Sequence, residues 1–137
     1  MQEQQILVAD DDGDARIILA ALLRHAGYCV ITAADGERAL ELARVYTPAL
    51  VITELYLAAA GERCLVRALK REMPLAAIPV LVHTARMMAA DEEWALDAGC
   101  DGFVTKPCYR ADLMSAVGLL ANPSRTESEL ARPVARA

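Results

Sequence analysis

One feature of this chain limits its fold more than any other: a short apolar run followed by a stretch of helical spacing, repeated five times. QILVAD reads as a buried strand ending in acids, and residues 15–26 then place Ile17, Ile18, Ala21, Leu22 and Ala26 at helical spacing before Gly27. CVIT is a second strand, followed by a helix with Ala39, Leu40 and Ala43 on one face, which Thr47-Pro48 closes because a residue before proline avoids the helical region. ALVITE supplies the third strand, and Cys64, Leu65, Ala68, Leu69 and Met73 mark a helix ended by Pro74. Residues 79–83 and 102–105 are the remaining strands, followed by helices over 88–98 and 111–121; the last turns Leu113, Met114, Val117, Leu120 and Ala121 inward. Five such units imply a parallel α/β sheet with helices on both faces, because each right-handed crossover must cover the sheet. Strands that are apolar throughout fit burial on both sides.

The 137 residues suffice for one domain with a core. Residues 1–121 are expected to form it, and residues 122–137, with two prolines and no apolar period, are expected to be a flexible tail. Fourteen basic residues against nineteen acidic ones give a net charge of −5, which argues against non-specific nucleic-acid binding and permits a metal or a basic partner. No apolar run reaches the roughly 18 residues of a membrane span, and MQEQQ lacks the marks of a signal peptide, so a cytoplasmic protein is expected. Cys29, Cys64, Cys100 and Cys108 form no CxxC pair and no ligand spacing with His25 or His83, and are read as small buried thiols.

In parallel sheets of this kind ligands sit outside the C-terminal strand ends. Here those ends carry Asp10, Asp11 and Asp12, then Glu54, Thr84 and Lys106-Pro107. Clustered carboxylates repel one another unless a cation joins them, and the candidates are Lys106 or a hard dication. Oxygen ligands without nearby Cys or His favour Mg²⁺ or Mn²⁺ over Zn²⁺. A hydroxyl and an ammonium beside them would complement phosphoryl oxygens. Each residue also has a plain reading: Asp12 or Asp14 as a helix N-cap, Thr84 as a turn residue, Lys106-Pro107 as a surface loop. Their agreement at one sheet edge favours function.

The order ILVADDDGDAR, a carboxylate after strand three, HTA, then FVTKP resembles the receiver domain of bacterial two-component response regulators over residues 5–121, as do AADGERAL and DAGCDGF. The resemblance implies a flavodoxin-like doubly wound sheet of strand order 2-1-3-4-5. It implies a Mg²⁺ site of Asp10, Asp11, Glu54 and the Tyr56 backbone carbonyl, with Asp11 a direct ligand and Asp10 acting through water. Thr84 would be the switch hydroxyl, Lys106 the lysine that pairs with the acids, and Phe103 the aromatic switch residue; Lys106-Pro107 would be cis. The implied partners are proteins: a histidine kinase, a phosphotransfer protein or a downstream effector. The implied output surface is the face of helix four, strand five and helix five, in a monomer or weak homodimer.

Glu54 departs from this pattern, since the family's phosphoacceptor at that position is Asp. The extra methylene moves the nucleophilic oxygen by on the order of 1 Å, and such a displacement can cost about 100-fold in rate. It also brings the carboxylate toward Thr84 and Lys106, where it would imitate part of the roughly −1.5 to −2 charge of a phosphate. The loop LYLAAAGER lacks the family's proline and Asp-Gly. The two departures together suggest a degenerate, non-enzymatic receiver that acts by protein contact, since a sixteen-residue tail cannot form a helix-turn-helix. Three readings compete with this one. In the first, a receiver is phosphorylated on Glu54. In the second, Asp10-x-Asp12-Gly13 resembles the first motif of haloacid-dehalogenase-type phosphatases, with Asp10 as nucleophile and Asp12 as general acid. The third is a flavodoxin-type flavin binder. Trp94, the single tryptophan, is either an exposed anchor on the output side or a packing residue against helix three or five. His83 is expected in the core or at its rim, and Cys108 and Tyr109 are expected to pack the start of helix five.

Overall fold

A computed structural model describes residues 4–86 and 88–122. It contains β1 (Gln5–Ala9), α1 (Gly13–His25), β2 (Cys29–Ala33), α2 (Gly36–Tyr46), β3 (Leu50–Thr53), α3 (Leu65–Lys70), a 3₁₀ turn (Leu75–Ala77), β4 (Val80–Thr84), α4 (Ala89–Ala98), β5 (Gly102–Thr105) and α5 (Arg110–Ala121). All pairings are parallel and the strand order is β2-β1-β3-β4-β5, the order the family resemblance implies. The expected tail lies outside the described residues except for Asn122.

Alternation along each strand divides the core in two. Leu7, Val51, Val82 and Phe103 face Leu40, Leu65, Leu69 and Ala95, so α2, α3 and α4 cover that side. Ile6, Val8, Ile52, Leu81 and Val104 face Leu19, Leu23, Leu113 and Val117 of α1 and α5. Central strand β3 is buried at every residue, as an apolar run between two helix layers must be.

Helix α1 turns a different face inward from the one its periodicity suggests. Leu19, Ala20 and Leu23 are buried, whereas Ile17 and Ile18 are 66% and 61% exposed, and Ala21 and Ala26 are exposed too. The sequence IILAALL is apolar all round, so spacing alone cannot choose its phase. The helix start chooses it: Asp12 accepts from the backbone N–H groups of Asp14 and Ala15 and fixes the first turn. Met73 is another correction, being 75% exposed, because α3 stops at Lys70 with Arg71 as its cap. Of the cysteines, Cys64 and Cys100 are buried, but Cys29 is exposed at the start of edge strand β2 and Cys108 is half-buried. In α2 and α5 the inward residues are close to those expected, including Ala39, Leu40, Ala43, Leu113 and Val117.

The loop after β3 is fastened from outside. A Cβ on Gly36 would lie 2.0 Å from the carbonyl oxygen of Ala58, so the opening of α2 and this loop touch backbone to backbone. Glu37 Oε1 accepts from the Ala60 N–H, and Ala59 and Glu62 form a β-bridge. Gly36→Ala is expected to destabilise the protein by roughly 1–3 kcal/mol, the usual cost of overpacking where neighbouring backbone must shift. Urea denaturation of the two proteins checks this.

Candidate functional site

The C-terminal ends of β1, β3, β4 and β5 bring the expected residues to one edge of the sheet. Asp10 follows β1 and is 4% exposed. Its backbone N–H bonds the Ala33 carbonyl, its Oδ1 accepts from the Asp12 N–H at 2.9 Å, and its carbonyl accepts from the Arg16 guanidinium at 2.7 Å. The Arg16 contact could not be read from sequence; the i to i+6 reach from a strand end into a helix is set by the turn between them. Asp11 is exposed beside Asp10, and Asp12 caps α1, which is its plain reading.

Lys106 lies one residue past β5 and ties the edge together. Its Nζ donates to Asp10 Oδ2 at 2.7 Å and to Glu54 Oε2 at 3.1 Å. Glu54 Oε1 accepts from the Leu55 N–H at 2.9 Å, so both oxygens of this carboxylate have a partner. Burial alone would lower the Lys106 pKa, but hydrogen bonds to Asp10 and Glu54 outweigh it and hold the ammonium above its ordinary value. The Lys106-Pro107 bond is cis, as the resemblance implied, and the Lys106 N–H bonds the Thr84 carbonyl at 2.7 Å. Thr84 is fully buried, and its Oγ1 accepts from the Arg86 N–H at 3.2 Å. The longer arm of Glu54 therefore bonds Lys106, while the Thr84 hydroxyl has a different partner. Phe103 is 2% exposed and packed in the core beneath α4.

His83 is half-buried on β4. Burial first, and the Lys106 charge second, lower its pKa to about 4, against the weaker pull of Asp10 and Glu54. The imidazole is neutral at pH 7.

Tyr56 and Trp94 are neighbours, ring centroids 5.2 Å apart, and Trp94 packs toward Tyr56 and Arg67 of α3. The Tyr56 hydroxyl donates to Asp91 at 2.8 Å, which raises its pKa above the ordinary value, helped by burial and opposed by Arg63 and Arg86. Arg63, Arg67, Arg86 and Asp91 did not stand out in the sequence. Arg63 precedes the α3 cap and Arg67 lies inside the helix, so no helical spacing pairs them, and none links them to α4. At the start of α5, Tyr109 is 82% exposed, so it does not pack there as expected. Its neighbour Cys108 is half-buried against the core under α1 and α5.

Removing the ammonium would strand a buried carboxylate. Lys106→Met is expected to cost about 1–3 kcal/mol, and Glu54→Gln added to it should cost less than its effect in the wild-type background. A double-mutant cycle by urea denaturation reads that coupling. His83 gives a pH signature. Its folded pKa lies below its unfolded one, so its contribution is complete above pH 6.5 and is lost as pH falls toward 4. Stability is expected to fall by up to about 3 kcal/mol over that window from this residue. His83→Gln should flatten that part of the profile.

The chain matches the family model described as the response regulator receiver domain over residues 6–118. It is 35% identical over 117 residues to a probable transcriptional regulator, ycf27, of Porphyridium aerugineum, covering 85% of this chain and 48% of the relative. The chain spans about half the length of the curated relatives it matches first. Among solved structures, the receiver domain of a signal transduction histidine kinase from Syntrophus aciditrophicus is 31% identical, with a TM-score of 0.78 over 91% of this chain and 96% of that one. A receiver domain of a sensor histidine kinase from Pseudomonas aeruginosa, solved with magnesium coordinated in its active-site cleft, is 25% identical with a TM-score of 0.78, covering 88% of this chain and 98% of that one. Sheet order, the gathering of Asp10, Thr84 and Lys106 at one edge, and a family match across most of the sequence agree: the chain belongs to the response regulator receiver domain family.

Proposed function

We propose that this chain is a receiver-type signalling module in which Glu54 stands at the phosphoacceptor position and does not accept a phosphoryl group. The observation that carries this reading is the Lys106 bridge, 2.7 Å to Asp10 and 3.1 Å to Glu54, with the second Glu54 oxygen taken by the Leu55 N–H. A nucleophilic carboxylate needs an oxygen lone pair presented to the phosphorus, and here one Glu54 oxygen is turned to the Lys106 ammonium and the other to the Leu55 N–H. The bridge holds the pocket in one charge-compensated arrangement. Glu54 supplies part of a phosphate's charge to Lys106 but none of its contact to Thr84, so mimicry of the phosphorylated state is partial.

Asp10, Asp11, Glu54 and the Tyr56 carbonyl fit Mg²⁺ by donor chemistry, being oxygens only, and they would hold it. Bound there, the dication would neutralise carboxylate charge and polarise phosphoryl oxygens. Among the described residues no three His, Cys, Asp or Glu side chains converge as a metal cage, and Lys106 already engages Asp10, so the site is a weak one. Output is through protein contact at the face of α4, β5 and α5, toward a kinase, phosphotransfer protein or effector. The phosphatase reading loses its general acid, because Asp12 Oδ1 accepts two backbone N–H groups of α1. Among the described residues no helix is long and apolar enough to cross a membrane.

Intact mass after incubation with Mg²⁺ and acetyl phosphate tests this. Wild type is expected to gain no phosphoryl group and Glu54→Asp to gain one. A phosphorylated wild type would make Glu54 a working acceptor and overturn the proposal. Should Glu54→Asp also stay unmodified, the pocket as a whole, not the acceptor alone, has lost the chemistry.

A further inference from the structure

Beside the pocket, five side chains from the β3–α3 loop, α3, the β4–α4 loop and α4 bring three guanidiniums against a pair of touching rings. Arg86 lies over Tyr56, 5.2 Å from its centroid. Arg63 lies beside both rings, 5.7 Å from the Tyr56 centroid and 5.6 Å from that of Trp94. Arg67 lies over Trp94 at 5.2 Å. Arg63 and Arg86 are exposed and Arg67 is half-buried. Two acids beside the series have partners of their own: Asp91 accepts from the Tyr56 hydroxyl, and Glu62 pairs with Arg71.

A guanidinium stacked on a ring keeps its in-plane N–H fork free for a carboxylate or phosphate. Stacking also restricts the side chain before any ligand arrives, which lowers the entropy lost on binding. A surface of this kind is therefore arranged for anions, in a protein whose net charge is −5. We propose that the Arg86–Tyr56–Arg63–Trp94–Arg67 series is a docking surface for an acidic segment of a partner protein.

Two observations select that occupant. The guanidiniums come from three separate segments, Arg63 from the β3–α3 loop, Arg67 from α3 and Arg86 from the β4–α4 loop, and lie against two different rings, which suits successive carboxylates on an extended segment better than one small anion. Three arginines in a chain with five more acids than bases are too local a footprint for nucleic acid, whose charge repeats along its whole length. The surface belongs to the α3–α4 side, apart from the face of α4, β5 and α5 named above. It does not depend on chemistry at Glu54, and its test uses neither metal nor phosphodonor.

The probe is an end-blocked peptide of consecutive glutamates, titrated at low salt into the whole chain while the emission of Trp94, the single tryptophan, is followed. A saturable change in emission is expected, weakening as salt is added. Arg63→Ala, Arg67→Ala and Arg86→Ala should each weaken binding roughly two- to fivefold, the range of exposed ion pairs. Arg→Lys at the same positions should restore only part of the loss, because an ammonium neither stacks nor forks in the same way. Circular dichroism confirms that the variants are folded, and Arg38→Ala, whose arginine pairs with Glu41 on exposed α2, is a control that should bind like wild type. Absence of a saturable response, or equal binding by the triple alanine variant, would overturn the proposal. So would ATP binding at this surface in the absence of metal more tightly than the peptide.

Discussion

A single ammonium group joins β5 to the two strands at the centre of the sheet. Lys106 reaches Asp10 after β1 and Glu54 after β3, so three of the five strand ends share one charge. Two carboxylates near each other in a half-buried site would otherwise repel and desolvate one another. The energetic weight lies less in what the bridge adds than in what its loss would leave, which is a carboxylate 4% exposed without its cation. The cis bond of Lys106 and Pro107 and the bond from the Lys106 N–H to the Thr84 carbonyl place the lysine, so backbone and charge specify one arrangement.

This bridge also explains how Glu fits at the end of β3. An added methylene in a packed pocket usually needs room or a new partner, and here the carboxylate finds two: the ammonium and the Leu55 N–H. The site's own lysine takes up the arm of Glu54. Thr84 is buried beside this edge and Phe103 is packed under α4, while Glu54 is held by the Lys106 ammonium and the Leu55 N–H.

Much of the fold was legible because two periodicities alternate without interruption, and because the strands between the helix layers are mostly apolar. β3 and β5 fall at their expected residues. The site was legible for the same reason: polar groups that end apolar runs have to emerge at one sheet edge. Other features were not legible. The apolar surface of α1 continues around the helix, so the identity of Ile17 and Ile18 says nothing about which side faces the sheet; the cap at Asp12 decides it. The arginine and aromatic series joins four separate segments, and sequence spacing carries no information about contacts between elements that meet only after folding.

The close contact between Gly36 and the Ala58 carbonyl has a consequence for anyone exchanging parts between receivers. The loop after Glu54 looks like a cassette, since it lies outside the helices and strands, although Leu55, Leu57 and Ala59 are buried. Its backbone is nevertheless set against the opening of α2 with no space for a methyl group, and Glu37 grips it from the next position. A loop transplanted into this chain must therefore bring a backbone path that fits a glycine at 36. A grafted Asp-Gly turn that runs closer to α2 has nowhere to go. The unit of exchange is the loop together with the first turn of the helix beneath it.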